Sequence, residues 1–145
     1  MKKLLLLTTL FLAFACSKDD ESGETFLKKY DGYSWKSGSE IQGITNGNSI
    51  VFVDYRDPDD VECVKVKEGV QTIDGEQVEV VIVKNEPEEL IMEIKIDGVV
   101  LSRNRWNVNG ETLTDRTTYF DEDGSSSEET YTWIRTNASY SDYCN

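Results

Sequence analysis

Three cysteines and no histidine bound the chemistry open to this 145-residue chain. Without an imidazole there is no usual base for a serine or cysteine nucleophile and no Cys/His set for zinc. Cys16 ends the apolar stretch "FLAFAC" and stands directly before "SKDDE", where a thiol can carry acyl chains. Cys63 and Cys144 remain as a pair, and in an exported protein two such thiols can oxidise. Bonded, they would close a long loop and pin the C-terminal tail to the body. Spacing alone does not bring two Cα atoms within bonding distance, so two free thiols stay open as the alternative.

The carboxylates give no comparable signal. With 28 Asp and Glu, pairs suited to acid/base work on a glycoside arise by chance. Asp54, Asp57, Asp59 and Asp60 in "VDYRDPDDVE" could offer oxygens to calcium, but the spacing is not that of an EF-hand loop. Arg56 also sits among them, so a Pro-bearing acidic turn is the simpler reading. "DEDGSSSEE" reads as a hairpin tip. The chain is therefore expected to be non-enzymatic, with no catalytic residue, metal or cofactor.

The N-terminus places these residues. Met1, Lys2 and Lys3 precede "LLLLTTLFLAFA", a positive segment, an apolar segment and small residues at a cut site, which is the pattern of a secretion signal. A bilayer-spanning helix needs roughly 20 apolar residues, and this run is shorter. The "AFAC" sequence resembles the lipobox of bacterial lipoproteins, and the acidic "SKDDE" is similar to the export signal of surface lipoproteins of Bacteroidota. By that resemblance residues 1–15 are a signal peptide, 16–29 are the lipidated Cys16 and a flexible tether, and 30–145 are one folded domain. The expected location is the bacterial outer membrane, lipid-anchored and at the cell surface. Two or three acyl chains hold a protein stably where one does so marginally. Removing Lys2 and Lys3 with the signal leaves 13 basic against 28 acidic residues, a net charge of 13 − 28 = −15. That balance argues against nucleic acid and against attachment to anionic lipid through basic residues.

The elements that must position any site are strands. Turn signals recur at Asn46 to Asn48, Asp57 to Asp60, Asp74-Gly75, Asn85 to Glu88, Asp97-Gly98, Asn109-Gly110 and Asp121 to Gly124, and these seven turns imply eight strands. Asp97-Gly98 and Asn109-Gly110 read as type I′ hairpins, which need positive φ at both central residues. Between the turns, apolar residues alternate: Leu90, Met92, Ile94 and Ile96 share a face, as do Val78, Val80 and Ile82, and Tyr131, Trp133 and Arg135, a period of two. No window carries a 3.6-residue apolar stripe, so long helices are not expected. An eight-stranded meander removes its edges by closing, which predicts an all-β, eight-stranded antiparallel up-and-down barrel.

Opening on "DGYSWK" and closing on "TYTWIR", this meander resembles the lipocalin-like domains of Bacteroidota lipoproteins. The resemblance implies that Trp35 of the first strand packs under Arg135 of the last, a cation–π contact. It implies also a barrel that holds a small apolar or amphipathic ligand, or whose interior is simply filled. The other reading is a solid barrel whose exterior binds a protein or glycan of an outer-membrane complex. Candidates for ligand contact or barrel core are Trp35, Arg103, Arg105, Tyr131, Trp133 and Arg135. Arg103 and Arg105 enter the mouth if Val99 and Leu101 face inward. They are solvated if the Trp106 face is inward, and the cost of unpaired buried charge favours that second arrangement. Replacing Cys16 with Ala is expected to release the protein from membranes and abolish labelling by a fatty-acid probe; unchanged membrane partition would remove the anchoring claim.

Overall fold

The computed structural model describes residues 23–144. The signal peptide at 1–15, Cys16 and the first part of the tether lie outside the described residues. Ten antiparallel strands form one sheet: β1 (Ser34–Ser37), β2 (Glu40–Thr45), β3 (Ser49–Asp54), β4 (Glu62–Lys67), β5 (Gly69–Ile73), β6 (Glu76–Glu86), β7 (Glu89–Ile96), β8 (Val99–Asn109), β9 (Thr112–Phe120) and β10 (Ser126–Thr136). Their spatial order is β4-β3-β2-β1-β10-β9-β8-β7-β6-β5. The first strand thus pairs with the last, and the sheet is a nearly closed barrel.

The count is ten strands and not eight, for two local reasons. All seven turns expected from the sequence separate strands, but the stretch from Trp35 to Thr45 also folds back at Gly38-Ser39. The stretch from Glu62 to Ile73 breaks at Glu68, next to Gly69 at φ +108°, a backbone region that side-chain-bearing residues avoid. Each break turns one expected strand into two. Asp97 and Gly98 have φ +51° and +79°, as a type I′ hairpin requires. Asn109 instead pairs with Thr112 as the end of β8, so that turn is centred one residue later, on Gly110-Glu111.

The two free edges of the sheet, β4 and β5, are consecutive in the chain and joined through Glu68. At this seam Gln71 Nε2 donates to the Lys67 carbonyl at 3.1 Å. The floor of the barrel is plugged by α1 (Phe26–Lys29), a single turn capped by Thr25, whose Oγ1 accepts from the Lys28 N–H. Phe26, Leu27 and Tyr30 are buried against Trp35, Ile44, Ile50, Leu90 and Leu113, and Leu27 N–H donates to Asn85 Oδ1 at 3.1 Å. The tether expected to run to residue 29 therefore ends earlier. Phe26 and Leu27 belong to the core, and burying two such side chains contributes roughly 1.5–3 kcal/mol each.

A second, smaller core lies outside the barrel. Beyond β10 the tail crosses the outer face of the β2–β3 hairpin, where Ile41, Val53 and Cys144 are buried with Tyr55, Val61, Ala138 and Tyr140 packed around them. The Tyr55 and Tyr143 rings stack at 4.8 Å. Cys63 on β4 and Cys144 stand at bonding distance, with Cα atoms 6.0 Å apart, inside the range that disulfide geometry allows. At a sequence separation of 81 residues, chain entropy alone assigns such a bond roughly 4–5 kcal/mol. Cys144→Ala, or reduction, is expected to lower the melting midpoint by roughly 15–20 °C and to expose the tail to protease. An unchanged midpoint in calorimetry would show that the tail is held without the sulfurs.

Candidate functional site

The barrel register decides which side chains meet inside. Trp106, Asp115 and Tyr131 lie opposite one another across β8, β9 and β10. Asn104, Thr117 and Glu129 form the next row, and Leu113 pairs with Trp133 below. On the other wall Trp35, Gln42, Phe52 and Val64 are aligned across β1 to β4. Since side chains alternate along a strand, one inward residue per strand fixes the rest. The floor is filled by the apolar ends of these rows. Towards the mouth the same rows turn polar, and there the packing opens.

Two adjoining hollows mark that opening. One of about 290 Å³ is lined by Glu40, Gln42, Phe52, Asn104, Asp115, Thr117, Tyr119, Tyr131 and Trp133. The other, of about 130 Å³, shares Glu40, Gln42, Phe52 and Trp133 with it and adds Ile41, Val53, Asp54, Glu62 and Val64.

Asp115 is the deepest carboxyl, only 3% exposed. Thr117 Oγ1 donates to its Oδ1 at 3.1 Å, and Asn104 Nδ2 donates to Thr117 Oγ1 at 2.7 Å. Burial pushes its pKa up, because the charged form loses water, while the polar groups of Trp106, Thr117, Asn104 and Gln42 work against that rise. Around it, Gln42 Oε1 and the indole N–H of Trp133 are buried without a hydrogen-bond partner. The Phe52 and Trp106 rings meet edge to face at 6.3 Å. At the rim the Tyr131 hydroxyl donates to Glu129 and lies 3.4 Å from the Tyr119 hydroxyl. The Glu129 carboxylate, then Tyr119, hold the Tyr131 phenol well above its ordinary pKa.

The residues singled out from sequence do not gather in one place. Tyr131 and Trp133 line the mouth. Trp35 is fully buried at the floor beside Tyr30 and Tyr33, at ring distances of 5.8 and 6.0 Å. Arg135 is its cross-strand partner, but the guanidinium lies 3.2 Å from the centre of the Tyr33 ring. Arg103 and Arg105 lie outside the barrel interior: the Trp106 face is the inner one, so both point outward. There Arg103 pairs with Glu93 at 2.5 Å and Arg105 Nε with Glu89 at 3.3 Å. In the acidic turn Asp57 Oδ1 accepts from the Asp59 N–H at 2.9 Å, and Asp54 binds Arg56.

Sequence reasoning missed Asp115, Gln42, Asn104, Thr117 and Phe52. A usable signal lay in "TLTDRTT", where Asp115 shares a face with Leu113 and Thr117; an apolar Leu at that alternation marks the inner face. No protein-family model, curated protein or solved structure matches this chain.

The raised pKa of Asp115 has a defined sign for stability. Relative to the unfolded chain, its contribution is fully present below the unfolded aspartate value, near 3.9, and is lost as pH rises through the higher folded value. Asp115→Asn is therefore expected to be more stable than the parent at pH 7, by roughly 1 kcal/mol or more, with the gap closing towards pH 3.5. Urea melts across that range check it, and a variant less stable at pH 7 would refute the burial cost.

Proposed function

We propose that this chain is a non-enzymatic, lipid-anchored protein of the bacterial cell envelope, whose barrel holds a small amphipathic molecule in its open end. The observation that carries the binding half is the division of the interior. The floor is packed by α1 and apolar side chains, whereas the mouth keeps a hollow of about 290 Å³ walled by aromatic rings and a few convergent polar groups. Small-molecule sites combine these features: concavity, aromatic walls and a small set of orienting polar atoms. A barrel meant to be solid would close the hollow with side chains, since interiors pack to crystal density.

The envelope half rests on the N-terminal sequence, the short apolar run ending in Cys16. The solid interaction module loses ground because the exposed apolar side chains are few: Val70, Val83 and Ile134 lie on separate strands and only Val99 and Leu101 share one, β8, short of the contiguous patch that marks an interaction surface. The ligand differs in character from a purely apolar one. Polar and charged atoms line the hollow, so the bound molecule has a polar head facing Asp115 and Gln42 and a body against Phe52 and Trp133.

Native mass spectrometry of the protein purified from its own host tests the reading. It is expected to report a non-covalent adduct that Trp133→Ala weakens, together with acyl mass on Cys16. A protein that carries no adduct and binds no aromatic small molecule in titration would return the barrel to a structural role.

A further inference from the structure

The carboxylates of the two hollows are not balanced by cations in their walls. Glu40, Asp54, Glu62 and Asp115 line them, and no Lys or Arg does. Arg56 reaches the rim, where it binds Asp54 and stands 3.7 Å from Glu40, with its side chain 72% exposed. Asp115 has no basic partner among the described salt bridges. A buried carboxylate without a countercharge is costly.

A second and independent observation comes from an uncharged residue. Gln42 is 7% exposed, lines both hollows and leaves its Oε1 without a donor. An acceptor buried without its hydrogen bond costs about 1–3 kcal/mol, so this atom too is complementary to a donor. The rings of Phe52 and Trp133 supply the third element, since aromatic faces attract cations and most of all once water is displaced.

The kind of cation follows from dispersion of the acceptors. Among the described residues no three carboxylate, thiolate or imidazole groups converge as metal ligands do. A compact metal ion needs several oxygens in one tight shell. An organic cation instead spreads its contacts over one carboxylate, one amide oxygen and ring faces. We propose that the barrel mouth binds the ammonium group of a small organic amine, paired with Asp115 and donating to Gln42 Oε1, with its apolar body against Phe52 and Trp133. This rests on the reading of the mouth as a ligand site and names the class of ligand.

Three probes of similar shape separate the two claims: phenethylamine, 2-phenylethanol and 3-phenylpropionate, titrated into the full-length protein in detergent at pH 7 by calorimetry and tryptophan fluorescence. The amine is expected to bind roughly tenfold or more tighter than the alcohol, with the carboxylate weakest. Asp115→Asn is expected to erase the preference of amine over alcohol, the affinity for the amine falling to that of the alcohol. Glu40→Gln, at the more exposed rim, is expected to reduce the preference by a smaller factor and guards against a misfolded Asp115 variant. Equal binding of amine and alcohol overturns the ammonium assignment while the ligand site stands. Binding of none of the three overturns both.

Discussion

Pairing between β1 and β10 is the contact on which the rest of the molecule depends. Ser34 with Thr136, Trp35 with Arg135 and Lys36 with Ile134 join the ends of a meander that would otherwise expose two further open edges beside those of β4 and β5. Unpaired edges invite association with other chains. The pairing also sets the phase of the whole interior. With side chains alternating every residue, a slip of one position would put the two sides of the seam out of phase, so that Trp35 and Gln42 on one side or Trp133 and Asp115 on the other would turn outward. Register at one short seam thus selects the lining of both floor and mouth.

A gradient runs along the barrel axis from that seam. At one end aromatic and aliphatic side chains pack around a single helical turn, and Tyr30, Tyr33 and Trp35 lie ring against ring. At the other end carboxylates and amides stand among Phe52, Trp106 and Trp133. The packed end supplies the stability that lets the open end carry a desolvated carboxyl and unsatisfied polar atoms. The ligand site proposed above would stand in the usual relation to its scaffold: groups that weaken the empty protein are held in place by groups that do not touch the ligand. The outer strap, with Cys63 and Cys144 at bonding distance, would add to the same reserve without entering the interior.

The seven turns and the faces of the long strands were readable because Asn, Asp and Gly mark reversals and because alternation persists through β6, β7 and β10. Two strand breaks were not, since Gly38-Ser39 interrupts a run that otherwise reads as one strand and Glu68 is a single residue. The four-residue helix was hidden too: Phe26 and Leu27 form an apolar pair too short to show a helical period. Orientation of β8 could be narrowed to two alternatives from sequence, and the cost of burying Arg103 and Arg105 selected between them correctly. Asp115 was lost among 28 acidic residues, because its distinction lies in what sits across the barrel from it, and cross-barrel neighbours such as Gln42 come from strands far apart in the chain.

The helical turn that plugs the floor fixes a polarity for the molecule. Thr25 lies beside the Gly47-Asn48 turn, at the end opposite to the Asp121 to Gly124 tip, so the chain enters its barrel from below. If Cys16 carries the anchor proposed above, the packed floor is the end nearer the membrane and the mouth the end farther from it. Solutes would then arrive from the surrounding medium and not laterally out of the lipid.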